Sequence, residues 1–154
     1  MGQDLAAILQ IERELETAPH WTEAEWQQCL GGGSAAVRCV LVGEFERRVV
    51  GFAVGLVVAG SGELESVGVQ AAVQGGGLGA QLVAAVLAWC RAQGAGEVKL
   101  EVRESSLGAR RLYQRLGFAE GSKRLGYYAN PAEDAVLMSW RMLPAVLLDG
   151  VHDV

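Results

Sequence analysis

Apolar residues at Leu5, Ile8, Leu9 and Leu15 recur at the three-and-four spacing of a helix, so the chain is expected to open with an amphipathic helix over about residues 4 to 16. Thr22 with Glu25 three positions later fits a capping box, in which a hydroxyl and a carboxylate satisfy free backbone donors, and predicts a short second helix carrying Trp26 and Leu30. β-Branched and apolar residues dominate from Val37 to Val42 and from Val49 to Ala59, and the polar segment Gly43 to Arg48 between them makes a hairpin. After the turn Gly60-Ser61-Gly62, residues Glu63 to Val69 alternate Leu64, Ser66 and Gly68 with Glu65, Val67 and Val69, a third strand. A glycine cluster, Gly75-Gly76-Gly77-Leu78-Gly79, then opens a helix whose apolar face is Leu78, Leu82, Val86 and Trp89 and which ends near Gly94-Ala95-Gly96. Val98, Leu100 and Val102 form a further strand, Leu107, Leu112 and Leu116 a helix stopped by Gly117, and strands return at Lys123 to Tyr128 and Ala135 to Met142.

The order is ααββ followed by βαβαββ, an α/β fold with a mixed sheet. Strand, helix and strand in succession imply one parallel, right-handed crossover inside an otherwise antiparallel sheet. At 154 residues the chain is expected to be a single domain over 1–143, with 144–154 as a C-terminal extension beginning at Pro144.

Composition narrows the function. Hydrophobic residues at 51% against 20% charged residues supply a sizeable core, and a net charge of -5 leaves no basic footprint for nucleic acid. Apolar runs such as Val54 to Ala59 are far shorter than a membrane span, and the N-terminus lacks a basic region followed by an apolar run, so a cytoplasmic protein is expected. Cys29, Cys39 and Cys90 have no metal-like spacing and lie far from His20 and His152, so no metal site is expected, and Cys90 beside Trp89 reads as a buried small side chain.

The chemistry is concentrated at the glycine cluster. A strand, a glycine-rich turn and a helix start make an anion site, because bare amides point outward, the helix dipole favours negative charge and missing Cβ atoms admit a phosphate. A P-loop is excluded, since Gly79 is followed by Ala80 and Gln81 rather than by Lys and Ser or Thr. A dinucleotide fingerprint stays open: Gly75, Gly77 and Ala80 fit its first, third and sixth positions, although that unit ordinarily begins a parallel sheet and is followed by more βαβ repeats. The third reading is the signature Gln/Arg-x-x-Gly-x-Gly/Ala of coenzyme A binding, matched at every fixed position by Gln74-Gly75-Gly76-Gly77-Leu78-Gly79.

Four segments together resemble the ribosomal-protein-alanine N-acetyltransferases, the RimI-like branch of the GNAT superfamily. They are Glu63-Leu64-Glu65-Ser66-Val67-Gly68-Val69, the loop itself, Leu100-Glu101-Val102-Arg103 with Ala109-Arg110-Arg111-Leu112-Tyr113 and Leu116-Gly117-Phe118, and Gly126-Tyr127-Tyr128-Ala129-Asn130-Pro131-Ala132-Glu133-Asp134-Ala135. The resemblance implies a seven-stranded mixed sheet splayed open in the middle, with acetyl-CoA between the strand ending at Val69 and the strand ending at Arg103. It implies cofactor contacts at Val67, Val69, Gln74, Gly75, Gly76, Gly77, Leu78, Gly79, Ala80, Ser106 and Ala109. Ser106 stands where the family usually has Asn, and Gly75 and Gly76 replace basic residues of the loop, so phosphate binding must lean on amides.

The same resemblance implies the catalytic pair. An α-amine with a pKa of about 7.7 to 8.0 is mostly protonated at neutral pH and cannot attack a thioester until a base takes its proton. Glu101, a carboxylate in a strand whose apolar members face the other way, matches the family's general base, acting directly or through water; an ion pair with Lys99 or Arg103 is its structural alternative. Tyr113 matches the acid beside the departing sulfur, and helix packing is the alternative there. Trp21, Tyr127 and Tyr128 would line the peptide cleft, and Arg110, Arg111 and Arg115 are candidates for the cofactor phosphates or for a solvated helix face. The implied activity is acetyl transfer from acetyl-CoA to the N-terminal alanine of a small-subunit ribosomal protein. Acetyl transfer to another amine, and a coenzyme A or dinucleotide binding module without turnover, are the alternatives.

Overall fold

A computed structural model of the chain describes residues 2–14 and 36–142. The capping box and helix expected after Thr22, together with His20, Trp21, Cys29 and the tail from Pro144, lie outside the described residues.

The amphipathic opening is α1 (Gly2–Glu14), and the strands that follow are β1 (Val37–Phe45), β2 (Arg48–Val58) and β3 (Ser61–Val69). A 3-10 turn at Ala71–Val73 leads to α2 (Leu78–Ala92), then β4 (Glu97–Arg103), α3 (Leu107–Arg115), β5 (Ala119–Ala129) and β6 (Ala132–Arg141). The strands form one mixed sheet in the order β1-β2-β3-β4-β6-β5, in which only β3 and β4 run parallel. The resemblance implied seven strands; among the described residues there are six, those that alternation predicts.

The first hairpin is tighter than the polar segment suggested. Strand pairing continues through Gly43, Glu44 and Phe45, and the reversal falls on Glu46 and Arg47 alone, with φ of 50° and 64°. Positive φ at both central residues is what a two-residue type I′ loop needs to match strand twist.

Among the described residues, helices cover one face of the sheet broadly and the other at β2 and β3. Leu82, Val83, Val86, Leu87 and Cys90 of α2 bury one face together with Ala53, Leu64, Val98, Leu100, Val102, Val136 and Met138. Leu5, Ile8, Leu9 and Ile11 of α1 pack on the other face against Phe52 and Val54. Cys90 is completely buried, and desolvation pushes its thiol up to about 11, the behaviour of a core side chain.

Two irregularities shape the site. The β2–β3 register shifts between Val54 and Gly55, where Ser66 opposes Val54 but Leu64 opposes Gly55, leaving Glu65 as a bulged residue. Simple alternation put Leu64 and Val67 on opposite faces; the bulge turns Leu64, Val67 and Val69 all toward α2 and leaves Ser66 on the face of Val54. Second, β3 and β4 pair only at Ser61 with Glu97, Gly62 with Val98 and Glu63 with Lys99. Beyond these pairs β3 stays with β2 and β4 stays with β6, so the sheet opens between them.

Candidate active site

The opening is a cleft of about 740 Å³. Its walls are β3 from Glu63 to Val67, β4 from Leu100 to Arg103, α3 through Ser106, Ala109 and Tyr113, and the end of β5 through Tyr127, Tyr128 and Ala129. Of the residues expected to act, Glu101, Tyr113, Val67, Ser106, Ala109, Tyr127 and Tyr128 therefore meet in one cavity. Leu100 and Val102 point into the core shared with α2, so alternation turns Glu101 to the opposite face, whereas Tyr113 packs on the α2 side. The two side chains enter the cleft from opposite faces of the sheet.

Val69 and the glycine loop flank the cleft rather than line it. Gly77 adopts φ +86° at the start of α2, no side chain caps that terminus, and the first turn holds no acidic residue. The amides of Leu78, Gly79 and Ala80 have no partner within the helix and lie at its positive end. A Cβ on Gly75 or Gly77 would meet nothing within 4 Å, so this cradle is open. A Cβ on Gly79 would rest at 3.7 Å from Leu112 and 3.8 Å from Val69, ordinary contact, which explains why the signature accepts Ala at its last position. The Gln74 side-chain amide donates to the Val69 carbonyl at 2.9 Å, tying the loop to the end of β3. The arrangement fits a diphosphate held by backbone amides.

Glu101 does not pair with Lys99 or Arg103. Lys99 lies 3.4 Å from Glu97, and the partner of Glu101 is Arg124 of β5, reaching across β6 to 3.2 Å. The Tyr127 phenol hydrogen-bonds to the Glu101 carboxylate, and that bond is the main reason its pKa is raised. Burial pushes the phenols of Tyr113 and Tyr128 up to about 12, and Tyr113 also meets Phe118 edge to face at 5.8 Å. Arg110 proves to be a tie between elements: it forks onto Glu120 at 2.8 and 3.0 Å and donates to the Glu104 carbonyl at 2.6 Å.

Sequence reading did not single out Glu63, Ser66, Arg103, Asn130 or Arg124. The Oγ of Ser66 and the Nε of Arg103 are buried at the cleft without a hydrogen-bond partner. Desolvation, with Glu65 and Glu101 nearby, raises the pKa of Glu63. No periodicity marks these residues, because their grouping comes from the bulge and from strands distant in sequence.

The model of the acetyltransferase (GNAT) family matches residues 4–118. This chain belongs to that family. The acetyltransferase is 34% identical over 143 residues to an uncharacterized N-acetyltransferase of Methanocaldococcus jannaschii, covering 89% of this chain and 85% of that protein. It is 32% identical over 138 residues to the [ribosomal protein bS18]-alanine N-acetyltransferase of Salmonella typhimurium, covering 88% and 90%. The crystal structure of the ribosomal-protein-S18-alanine N-acetyltransferase from Escherichia coli superimposes with a TM-score of 0.76 at 27% identity, covering 94% of this chain and 92% of that one. The acetyltransferase is thus an acetyl-CoA-dependent N-acetyltransferase, and the dinucleotide reading of the glycine loop is set aside.

Proposed function

We propose that this enzyme acetylates the α-amine of a protein N-terminus, the alanine of a small-subunit ribosomal protein, in the cytoplasm. The observation that carries the reading is the parting of β3 and β4, which brings Glu101 and Tyr113 from opposite faces into one cavity beside an uncapped helix terminus. The name of the Salmonella typhimurium relative, 32% identical over most of the chain, supports the acceptor.

In this reading the amides of Leu78, Gly79 and Ala80 hold the diphosphate of acetyl-CoA, and Gln74 keeps their loop registered on β3. Backbone groups near Val67 and Val69, with Ser106 and Ala109 opposite, position the pantetheine arm. The acceptor amine approaches from the other face, between Tyr127 and Tyr128. Glu101 takes the ammonium proton, directly or through water, and the freed nitrogen attacks the carbonyl carbon. As the nitrogen–carbon bond forms the carbon–sulfur bond breaks, and the second proton shed by the nitrogen ends on the released sulfur, giving the amide and the free thiol of coenzyme A. A phenol that keeps its proton up to about 12 cannot act as a base near neutrality. Tyr113 is therefore a hydrogen-bond donor to the departing sulfur; complete transfer to a thiolate whose acid has a pKa of about 8.5 is uphill, so its effect is mainly stabilisation of developing charge.

The test is incubation with acetyl-CoA and peptides that differ only in their first residue, read by intact mass. Preferential acetylation of the alanine-leading peptide is expected. Acetylation of lysine side chains or small amines in preference to it would overturn the acceptor and leave the donor chemistry standing.

A further inference from the structure

Arg103, the last residue of β4, is only 7% exposed. A guanidinium in such a place needs its charge and donors matched, and both Nη atoms of Arg103 find partners while its Nε does not. Its Nη1 donates to the Pro131 carbonyl at 2.9 Å, its Nη2 to the Asn130 carbonyl at 3.2 Å, and Glu133 lies 3.5 Å from Nη1. Glu133 in turn accepts from the Ser105 amide at the entry to α3. The Arg103 Cζ sits 4.2 Å from the centre of the Tyr128 ring, a cation over an aromatic face. Tyr128 meets Tyr127 edge to face at 5.0 Å, and Tyr127 hydrogen-bonds to Glu101.

The sheet holds this region weakly. β5 is the edge strand, almost wholly exposed, and its register with β6 is interrupted between Arg124 and Tyr128. Strand pairing therefore fixes little of the segment that carries Tyr127, and the contacts of Arg103 supply the missing restraint.

We propose that Arg103 is a positioning residue of the acceptor wall: its fork on Asn130 and Pro131 and its stacking on Tyr128 hold the tyrosine pair in place and so keep Tyr127 on Glu101. This rests on Glu101 being the base. Four residues of the β5–β6 hairpin, Tyr128, Asn130, Pro131 and Glu133, converge on this one side chain, which has no role of its own in the transfer.

All three tyrosines of the chain line the cleft, so ultraviolet titration of phenols reads this site alone. Arg103→Gln, verified as folded by circular dichroism and as binding acetyl-CoA by calorimetry, is expected to lose about 10- to 100-fold in kcat/KM for the acceptor peptide. The KM for acetyl-CoA is expected to stay within about twofold of the parent's. One phenol should move down toward the ordinary value as its bond to Glu101 is lost, and that phase should vanish when Tyr127→Phe is added. A folded Arg103→Gln enzyme with the parent's acceptor kcat/KM and an unchanged phenol titration overturns the inference. Should that variant not fold, Arg103→Lys, which keeps the cation and gives up the fork, is judged by the same two readings. Full turnover by Glu101→Gln would sink the base assignment, while the titration of the Arg103 variant still decides whether Arg103 positions the tyrosines.

Discussion

Glu101 and Tyr113 differ in what holds them. Glu101 is gripped by a cation and a phenol, Arg124 and Tyr127, whereas Tyr113 is set by packing against Phe118 and by desolvation. Replacing Glu101 with Gln keeps the size and removes the proposed base, so turnover should fall by about 10²-fold or more while calorimetric affinity for acetyl-CoA is unchanged. Parent-like turnover in that variant would remove Glu101 from the mechanism. Tyr113→Phe keeps the ring and its edge contact with Phe118 and loses the proposed donor to the sulfur. A fall of about 10- to 100-fold in kcat, with the melting temperature nearly unaltered, is expected on steady-state assay. Both residues were reached from the sequence through the family resemblance, and the structure brings them into one cavity. Arg103 was not, since an arginine at a strand end ordinarily reads as solvent-facing, and only the fold shows that it is enclosed by a hairpin about thirty residues further on.

Between elements, the glycine loop and the β5–β6 hairpin are the joints that matter. Gly77 requires glycine because its φ is +86°, while a methyl group at Gly76 would meet only the Val73 carbonyl oxygen at 3.5 Å. Gly77→Ala should therefore cost about 1 to 2 kcal/mol in chemical denaturation and weaken acetyl-CoA binding, with Gly76→Ala close to neutral for folding. Equal effects of the two substitutions would argue that backbone conformation is not the issue. The hairpin is docked through Glu133, whose pKa is lowered first by its hydrogen bonds to Ser105 and then by Arg103. A carboxylate with a depressed folded pKa stabilises above its ordinary value of 4.5 and loses that contribution as pH falls through the folded one. Stability should therefore drop on acidification below 4.5, and the part of the drop due to this joint should disappear in Glu133→Gln. Helix and strand order was legible from periodicity. The bulge at Glu65 was not, because one extra residue leaves the local alternation intact and changes only which face the preceding residues share.

For the whole molecule, the open sheet means that two half-sheets meet chiefly through α2 and the three paired positions of β3 and β4. A ligand lying along that parting contacts both halves and should stabilise the native state as one unit. Acetyl-CoA at a hundred times its Kd contributes about 2.7 kcal/mol, which for a chain of this size raises Tm by roughly 5 to 10 °C in a thermal scan. No shift with acetyl-CoA, together with a shift for a nicotinamide dinucleotide, would contradict the assignment of the loop.

From the chain alone came the periods of three described helices and six strands and the anion-binding character of Gln74 to Gly79, and its resemblance to a known family pointed to Glu101 and Tyr113. These are local properties: side-chain period, φ tolerance and motif spacing act within one or two turns of chain. The parting of β3 from β4, the Arg124 pairing of Glu101 and the enclosure of Arg103 were decided only by tertiary structure. Each depends on which strands become neighbours, and that neighbourhood follows from burying both faces of one sheet at once, a condition on the whole chain that no single segment carries.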